Sequence, residues 1–275
     1  MNILLLGSTG YLGQQFLAAY PDAKTPRFDI ASREAVIAVL EAEKPDIVIN
    51  CAGKTGRPNV DWCETHKEET LSANVTGPLI LLEECLKRNI YLVHISSGCI
   101  YTGDKGGAGF TEDDIPNFTG SFYSRTKGWS DQIMKDFPVL NLRLRMPFDG
   151  SRSDRNLIMK LAKYAKVLDV PNSVTYLTDF TDAAKKLIAK KTTGTFNIVN
   201  GGATSPYRIM ELYKEIVDPK HHFEKLSIDH LSDVVKAGRS NCILSTAKLE
   251  KEGIAVRPVE EAIVLALQSL RAAKA

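Results

Sequence analysis

The stretch that decides the fold is Asn2-Ile-Leu-Leu-Leu-Gly7-Ser-Thr-Gly10-Tyr-Leu-Gly13. Asn2 to Leu6 is an apolar run without alternation, the pattern of a strand buried on both faces. Gly7, Gly10 and Gly13 follow at three-residue spacing, and the residues to about Tyr20 then take a helical pattern. Glycine permits the tight bend and lets backbone N–H groups at the helix N-terminus approach a pyrophosphate. A dinucleotide cofactor is therefore expected here, against Gly7, Thr9, Gly10, Tyr11, Leu12 and Gly13.

Outward from this turn, strand and helix alternate. A helix is expected over residues 32–43, capped by Ser32, then a strand from Asp46 to Asn50 and a long helix over 67–88. A strand at 91–96, a glycine-rich loop through 120, a helix at 122–136 and a strand at 139–144 complete the first half. Doubly apolar strands separated by helices predict an α/β fold, a Rossmann-type doubly wound parallel sheet. The second strand, Lys24 to Asp29, is short and degenerate. Arg27 within it suits a 2′-phosphate and Asp29 a ribose hydroxyl, so NADPH is favoured and NADH is the alternative. After Pro147 the elements become short, with helices near 155–165, 180–190, 206–217, 245–251 and 258–272 and strands near 166–175 and 195–199. Residues 1–147 are expected to form the NAD(P)-binding domain carrying the catalytic residues. Residues 148–275 should supply mainly a substrate-binding lobe over the carboxyl ends of the strands, with some chain crossing between lobes.

The 275 residues carry 35 Lys and Arg against 33 Asp and Glu, a net charge of +2. Lys185-Lys186 and Lys190-Lys191 read as a solvated helix face, so neither nucleic acid nor a membrane surface is an expected partner. No apolar run reaches the roughly 20 residues of a membrane span, and no basic leader precedes the first strand, so no signal peptide is expected. The five cysteines are odd in number, without C-x-x-C spacing, and the five histidines complete no metal pattern. Reduced thiols, a cytoplasmic location and no metal are expected, with His221-His222 a surface pair.

Tyr123 and Lys127 stand four apart in a helical pattern and share a face. A lysine cation beside a phenol is expected to pull its pKa down from about 10, giving a proton donor for a reduced carbonyl. Ser97 and Cys99 end the 91–96 strand at i, i+2 spacing and point the same way if strand geometry persists. That phasing prefers Ser97 over Ser96 as the hydroxyl that holds a carbonyl oxygen. Cys99, a thiol able to exchange a proton near neutrality, has as its bland alternative a small buried hydrophobe. Cys63 is expected to be structural.

With Gly7-x-x-Gly10-x-x-Gly13, Asn50-Cys-Ala-Gly53 and Tyr123-x-x-x-Lys127, the sequence resembles the extended short-chain dehydrogenase/reductases. The strings Thr55-Gly-Arg-Pro-Asn-Val-Asp-Trp-Cys-Glu64, Pro116-Asn-Phe-Thr-Gly-Ser-Phe-Tyr-Ser124 and Arg143-Leu-Arg-Met-Pro147 are similar to the bifunctional UDP-4-keto-6-deoxyglucose 3,5-epimerase/4-reductases of UDP-L-rhamnose synthesis. The likeness extends to Val170-Pro-Asn-Ser173 and Gly238-Arg-Ser-Asn241; dTDP-4-dehydrorhamnose reductase and GDP-fucose synthase are wider relatives. The loop from Thr102 to Gly109 departs from the plant pattern, and the nucleotide, UDP or dTDP, stays open.

The resemblance implies a Ser97–Tyr123–Lys127 triad, an epimerase cysteine at Cys99 and a second epimerisation residue at Lys160. It places Asn50, Ala52, Gly53 and Lys127 against the cofactor, and Asn74 on the proton path around Lys127. Arg57, Asn59 and Trp62, in a loop at a strand's carboxyl end, are expected to line the nicotinamide or sugar pocket, with loop packing the rival role for Trp62. Arg239, whose guanidinium fork fits phosphate oxygens, and Asn156 are candidates for the nucleotide diphosphate. A separate 4,6-dehydratase is expected to supply the 4-keto sugar, and a homodimer is expected through the 67–88 and 122–136 helices. A reductase without epimerase activity and a non-catalytic NADP-binding regulatory subunit are the competing functions.

Overall fold

The computed structural model describes residues 1–227 and 235–273. In chain order, β1 (Ile3–Leu6), α1 (Tyr11–Ala19) and α2 (Arg33–Glu43) lead to β2 (Ile47–Asn50). Helices α3 (Trp62–Thr65), α4 (Lys67–Leu71) and α5 (Gly77–Lys87) precede β3 (Tyr91–Ser97), and α6 (Phe122–Lys135) precedes β4 (Leu140–Leu144). Then come β5 (Pro147–Phe148), α7 (Leu157–Leu161), β6 (Lys166–Leu168), β7 (Thr175–Tyr176), α8 (Leu177–Ala189) and β8 (Gly194–Asn197). The chain continues through α9 (Pro206–Ile216), β9 (Glu224–Leu226), α10 (Ala247–Lys251) and α11 (Val259–Ala272).

The main sheet is parallel, in the order β1-β2-β3-β4-β8. The expected second strand is reduced to a single parallel bridge between Leu4 and Lys24, on the side of β1 away from β2. The chain thus leaves β1 to one side and returns through α2 to the other. A crevice opens at that reversal, at the carboxyl ends of β1 and β2. One face of the sheet packs Phe16 of α1 and Phe180, Ala184 and Leu187 of α8; the other packs Val36, Leu40, Leu81, Cys85 and Met134. The rings of Phe16 and Phe180 meet edge to face at 6.2 Å.

A separate core forms around Phe148, Ile158, Val167, Ile209 and Ile263, built on α7, α9 and α11 with the two-stranded pairs β5-β7 and β6-β9. The chain beyond Pro147 does not stay in this lobe. Helix α8 covers the main sheet, β8 extends it beside β4, and Leu249 and Ile254 join its core. The segment around Cys242–Leu244 bridges to Gly103 and Phe110, closing the seam between lobes.

Two expected elements are interrupted. The 67–88 helix breaks at a π-helical turn, Ser72–Thr76, where Asn74 Oδ1 accepts from Lys54 N (2.8 Å) and its Nδ2 donates to Lys54 O (2.9 Å). The 166–175 strand is instead β6 and β7, separated by a stretch in which Asn172 exchanges backbone bonds with Thr204.

Candidate active site

Gly7, at φ +74°, holds the glycine turn, and a Cβ there would lie 2.7 Å from Ala52 N. A Cβ on Gly13 would lie 2.0 Å from Gly7 O, so α1 can sit this close to β1 only without a side chain. Gly10 is the N-cap of α1, with no side-chain cap and no acidic residue in the first turn. Gly7, Thr9 and Gly10 are exposed, leaving the helix N-terminus open to an anion. These features fit a dinucleotide pyrophosphate. Leu12 packs against the core, and the Tyr11 hydroxyl faces Asp149 and Ser151. Gly53 is exposed beside Asn74, while Asn50 lies wholly inside. Its Oδ1 accepts from Ala52 N (3.0 Å) and its Nδ2 meets His94 Nδ1 (3.2 Å), so its side chain shapes the turn that approaches Gly7. Arg27 and Asp29 are exposed; the Asp29 carboxylate accepts from Ala31 N (2.9 Å), and Arg27 makes no ion pair among the described residues.

Helix α6 carries the reactive pair in its first two turns, and its N-terminus is fixed twice. Ser121 Oγ caps it at Ser124 N (3.1 Å), and the Phe122 N–H donates to Glu64 (2.6 Å). One helical row then presents Tyr123, Lys127 and Asp131. Lys127 Nζ donates to Ile95 O (2.9 Å), and burial lowers its pKa to about 8 against the opposing charges of Asp131 and Cys99. Tyr123 does not behave as the Tyr–Lys spacing predicts. Burial dominates and pushes the phenol's pKa up, the neighbouring Cys99 adds to this, and a hydrogen bond from Ser97 opposes it. The phenol is held protonated, as a donor. Asn74 reaches this helix through Thr126 Oγ1 (3.3 Å).

The choice between the two serines is made by Asp131. Ser96 Oγ donates to Asp131 (2.6 Å), a carboxylate that also accepts from Asn141 and from the buried Arg143, at 2.5 Å for the nearest pair. Ser97 is left to Tyr123. Cys99 joins them by a turn rather than by continued strand, since β3 ends at Ser97 and the Cys99 N–H donates to Ser97 Oγ (3.1 Å).

Cys99 and Tyr123 line a cavity of about 680 Å³ together with Arg145, Asn59 and Arg239, and its far wall includes Leu161, Val167 and Leu226. Arg239 reaches across to the loop after β2, donating to Asp61 Oδ1 (2.8 Å), and Ala237 N donates to the same oxygen (3.0 Å). Burial would raise the Asp61 carboxyl, but these bonds outweigh it and hold its pKa low. Asn59 contributes to the wall while its Oδ1 accepts from Asp61 N (2.8 Å).

Other expected residues stand apart from this wall. Asn156 is fully buried, capping α7 at Ile158 N (3.1 Å) and donating to Asp149 and Ser151 carbonyls, which leaves its amide no hydrogen bond for a diphosphate. Trp62 stacks on His66 at 3.9 Å, a loop-packing role, and Cys63 is fully buried. Arg57 is exposed. Lys160 is half-buried in α7 outside the cavity wall; burial, then the charge of Arg155, lower its pKa. Arg155 itself donates to Thr55 Oγ1 (3.1 Å) and Gly56 O (2.7 Å), tying the second lobe to the β2 loop. No helix among the described residues is long and apolar enough to cross a membrane, and they hold no group of three or more His, Cys, Asp or Glu able to bind a metal.

A family model described as "RmlD substrate binding domain" matches residues 1–272. The chain belongs to the RmlD substrate-binding domain family. Within it, the chain is 37% identical to a bifunctional dTDP-4-dehydrorhamnose 3,5-epimerase/dTDP-4-dehydrorhamnose reductase of Arabidopsis thaliana, covering 96% of this chain and 91% of that one. A trifunctional A. thaliana enzyme, with UDP-glucose 4,6-dehydratase activity besides epimerase and reductase, is 34% identical over 96% of this chain, which spans 41% of that protein. The crystal structure of the L780 UDP-rhamnose synthase from Acanthamoeba polyphaga mimivirus superposes with a TM-score of 0.92 at 33% identity, over 98% of this chain and 99% of that chain. A dTDP-4-dehydrorhamnose reductase from Bacillus anthracis in complex with NADP shares the fold, with a TM-score of 0.81 at 21% identity over 96% and 97% of the two chains.

In this member of the RmlD family, sequence reasoning passed over Arg145 and Asp131. Both act through partners distant in sequence, but Arg143 and Arg145, alternating with Leu140, Leu142 and Leu144 in one stretch, were a legible sign of buried charge.

Proposed function

We propose that the protein is an NADPH-dependent bifunctional enzyme, a 3,5-epimerase and 4-reductase of a nucleotide-linked 4-keto-6-deoxyglucose, with UDP the favoured nucleotide and dTDP the alternative. The observation that carries this reading is the meeting of Ser97, a protonated Tyr123 and the Cys99 thiol, the last two of which line one cavity.

Bound NADPH would supply hydride to C4 of the sugar; Gly7, Gly10, Gly13 and Arg27 are the residues assigned to hold it. NADP in the Bacillus anthracis relative supports this cofactor. Tyr123 gives its proton to the C4 oxygen as the alkoxide forms, and Ser97 holds that oxygen by a hydrogen bond. Lys127, buried behind Tyr123, replenishes the proton. The same oxygen bears the charge when a proton leaves C3 or C5, because both carbons flank the C4 carbonyl and the electron pair moves onto it. One oxyanion site thus serves two enolisations and one reduction. Cys99 and Lys160 are assigned to exchange the carbon protons. Burial, then the charge of Arg155, lower the Lys160 pKa, and the side chain must turn towards the cavity to act. Support for epimerisation comes from the bifunctional A. thaliana protein, of which this chain covers 91%.

A homodimer and a 4,6-dehydratase acting beforehand are part of the same proposal, as are a cytoplasmic location and the division near residue 147. The test is NMR of the product from UDP-4-keto-6-deoxyglucose, enzyme and NADPH in D2O. Deuterium at C3 and C5 of a UDP-L-rhamnose product is expected. Turnover of an already epimerised substrate without exchange on the 4-keto-glucose would leave a reductase alone. An inert mixture with UDP and dTDP sugars would favour the non-catalytic NADP-binding reading.

A further inference from the structure

Arg145 follows β4 with its side chain 1% exposed. Two residues earlier, the equally buried Arg143 is matched by the carboxylate of Asp131. Arg145 has no such partner: it makes no ion pair among the described residues, and its contacts are otherwise neutral. Its Nη1 donates to Ser240 Oγ (2.9 Å) and to Cys99 Sγ (3.3 Å). Its Nη2 donates to the Asn172 side-chain oxygen and the Ser240 carbonyl, and its Nε has no partner. A buried guanidinium without an anion is costly, and the cost is relieved when a negative charge arrives beside it. Two thiols near Arg145 can acquire such a charge: Cys242, which is fully buried and whose Sγ donates to Gly98 O, and Cys99, whose Sγ accepts directly from the guanidinium and lines the cavity.

We propose that Arg145 is the counter-charge of Cys99, a positioning residue that fixes the thiol at the head of the cavity and stabilises its thiolate. This rests on the epimerase reading of Cys99 and assigns it the base's part. The thiolate takes the proton from the sugar carbon, the electron pair of that C–H bond moves to the C4 oxygen, and sulfur is left as a thiol. The titratable and charged groups facing Cys99 are Tyr123 and Lys127 from α6, Cys242 from the closing segment, and Arg145. Lys127 donates to Ile95 O and acts on Cys99 only through space, so Arg145 is the cation in direct contact with the sulfur. Ser240, held to Tyr101 O (2.6 Å), and Asn172 fix the guanidinium plane, which makes the donor to sulfur a pre-set one.

The test is the rate of iodoacetamide labelling at Cys99, read by peptide mass spectrometry on the full chain from pH 5 to 10. Wild type, Arg145→Lys and Arg145→Met are compared, with circular dichroism and melting recorded for each. Arg145→Met is expected to label Cys99 about tenfold more slowly at pH 7, with the half-maximal pH moved upward by about one unit, and Arg145→Lys is expected to recover much of the rate. Cys51 labelling should be unchanged. An unaltered Cys99 profile in folded Arg145→Met would overturn the proposal. So would a wild-type Cys99 that titrates like free cysteine, a result that needs no variant to fold. Deuterium exchange into the sugar, measured alongside, separates the two readings: a wild type that labels as expected but exchanges no carbon proton refutes the epimerase and leaves the ion contact standing.

Discussion

At the scale of single residues, burial governs the chemistry. Burial keeps the proton on Tyr123, and the side chain hydrogen-bonded to it is Ser97. Tyr123→Phe is expected to lower NADPH oxidation by at least a hundredfold while NADPH affinity stays within twofold, measured by stopped-flow absorbance and fluorescence titration. Full turnover by this variant would rule out the phenol as the acid. Lys127 makes a second, pH-dependent prediction. Its pKa falls from 10.5 to about 8 on folding, so below pH 8 it is charged in both states and the whole burial penalty is present. Between about pH 8 and 10.5 the unfolded chain binds the extra proton, and stability rises with pH. The advantage of Lys127→Met over wild type in urea unfolding should therefore shrink by about 3 kcal/mol between pH 7 and pH 11.

At the scale of elements, β1, the glycine turn and α1 were fully legible, because glycine spacing and an apolar run are local signals. Gly13→Ala is expected to weaken NADPH binding more than tenfold and to lower the melting temperature, since its Cβ would meet Gly7 O at 2.0 Å. Gly10→Ala, with 3.2 Å to the same oxygen, should be milder in both measurements. The Ser32 cap of α2 was likewise readable, and its Oγ accepts from Ala35 N (3.3 Å). What sequence could not supply were long-range bonds. The π-turn exists because Asn74 reaches Lys54, and nothing near residue 74 announces that. Strand phasing favoured Ser97 over Ser96, but the bond that occupies Ser96 comes from Asp131 on another element and could not be read. Asn156 looked like a ligand for phosphate because a polar residue before a short helix reads equally well as a cap, the role it fills.

At the scale of the molecule, the cavity is closed by bonds that cross between the lobes. Asp61–Arg239 joins the β2 loop to the segment before Cys242, and Arg155 joins the same loop to the start of α7. Asp61→Asn is expected to raise the KM for the nucleotide sugar about tenfold, as a charge-assisted bond is lost, with the Kd for NADPH unchanged. Equal losses in both constants would mean that the pair supports the fold and not the sugar site.

The course of α8 and β8 has its own consequence. Between Leu177 and Asn197 the chain leaves the second core, adds the strand beside β4, and goes back. A protein cut at residue 147 would therefore yield two incomplete pieces: one with β4 bared as a sticky margin, the other carrying an orphan strand and a helix with nothing to cover. Such halves would regain activity only by finding each other, as complementing fragments do. Interlacing of this kind also restricts any opening of the cleft to a small flexing of the threads that run across it.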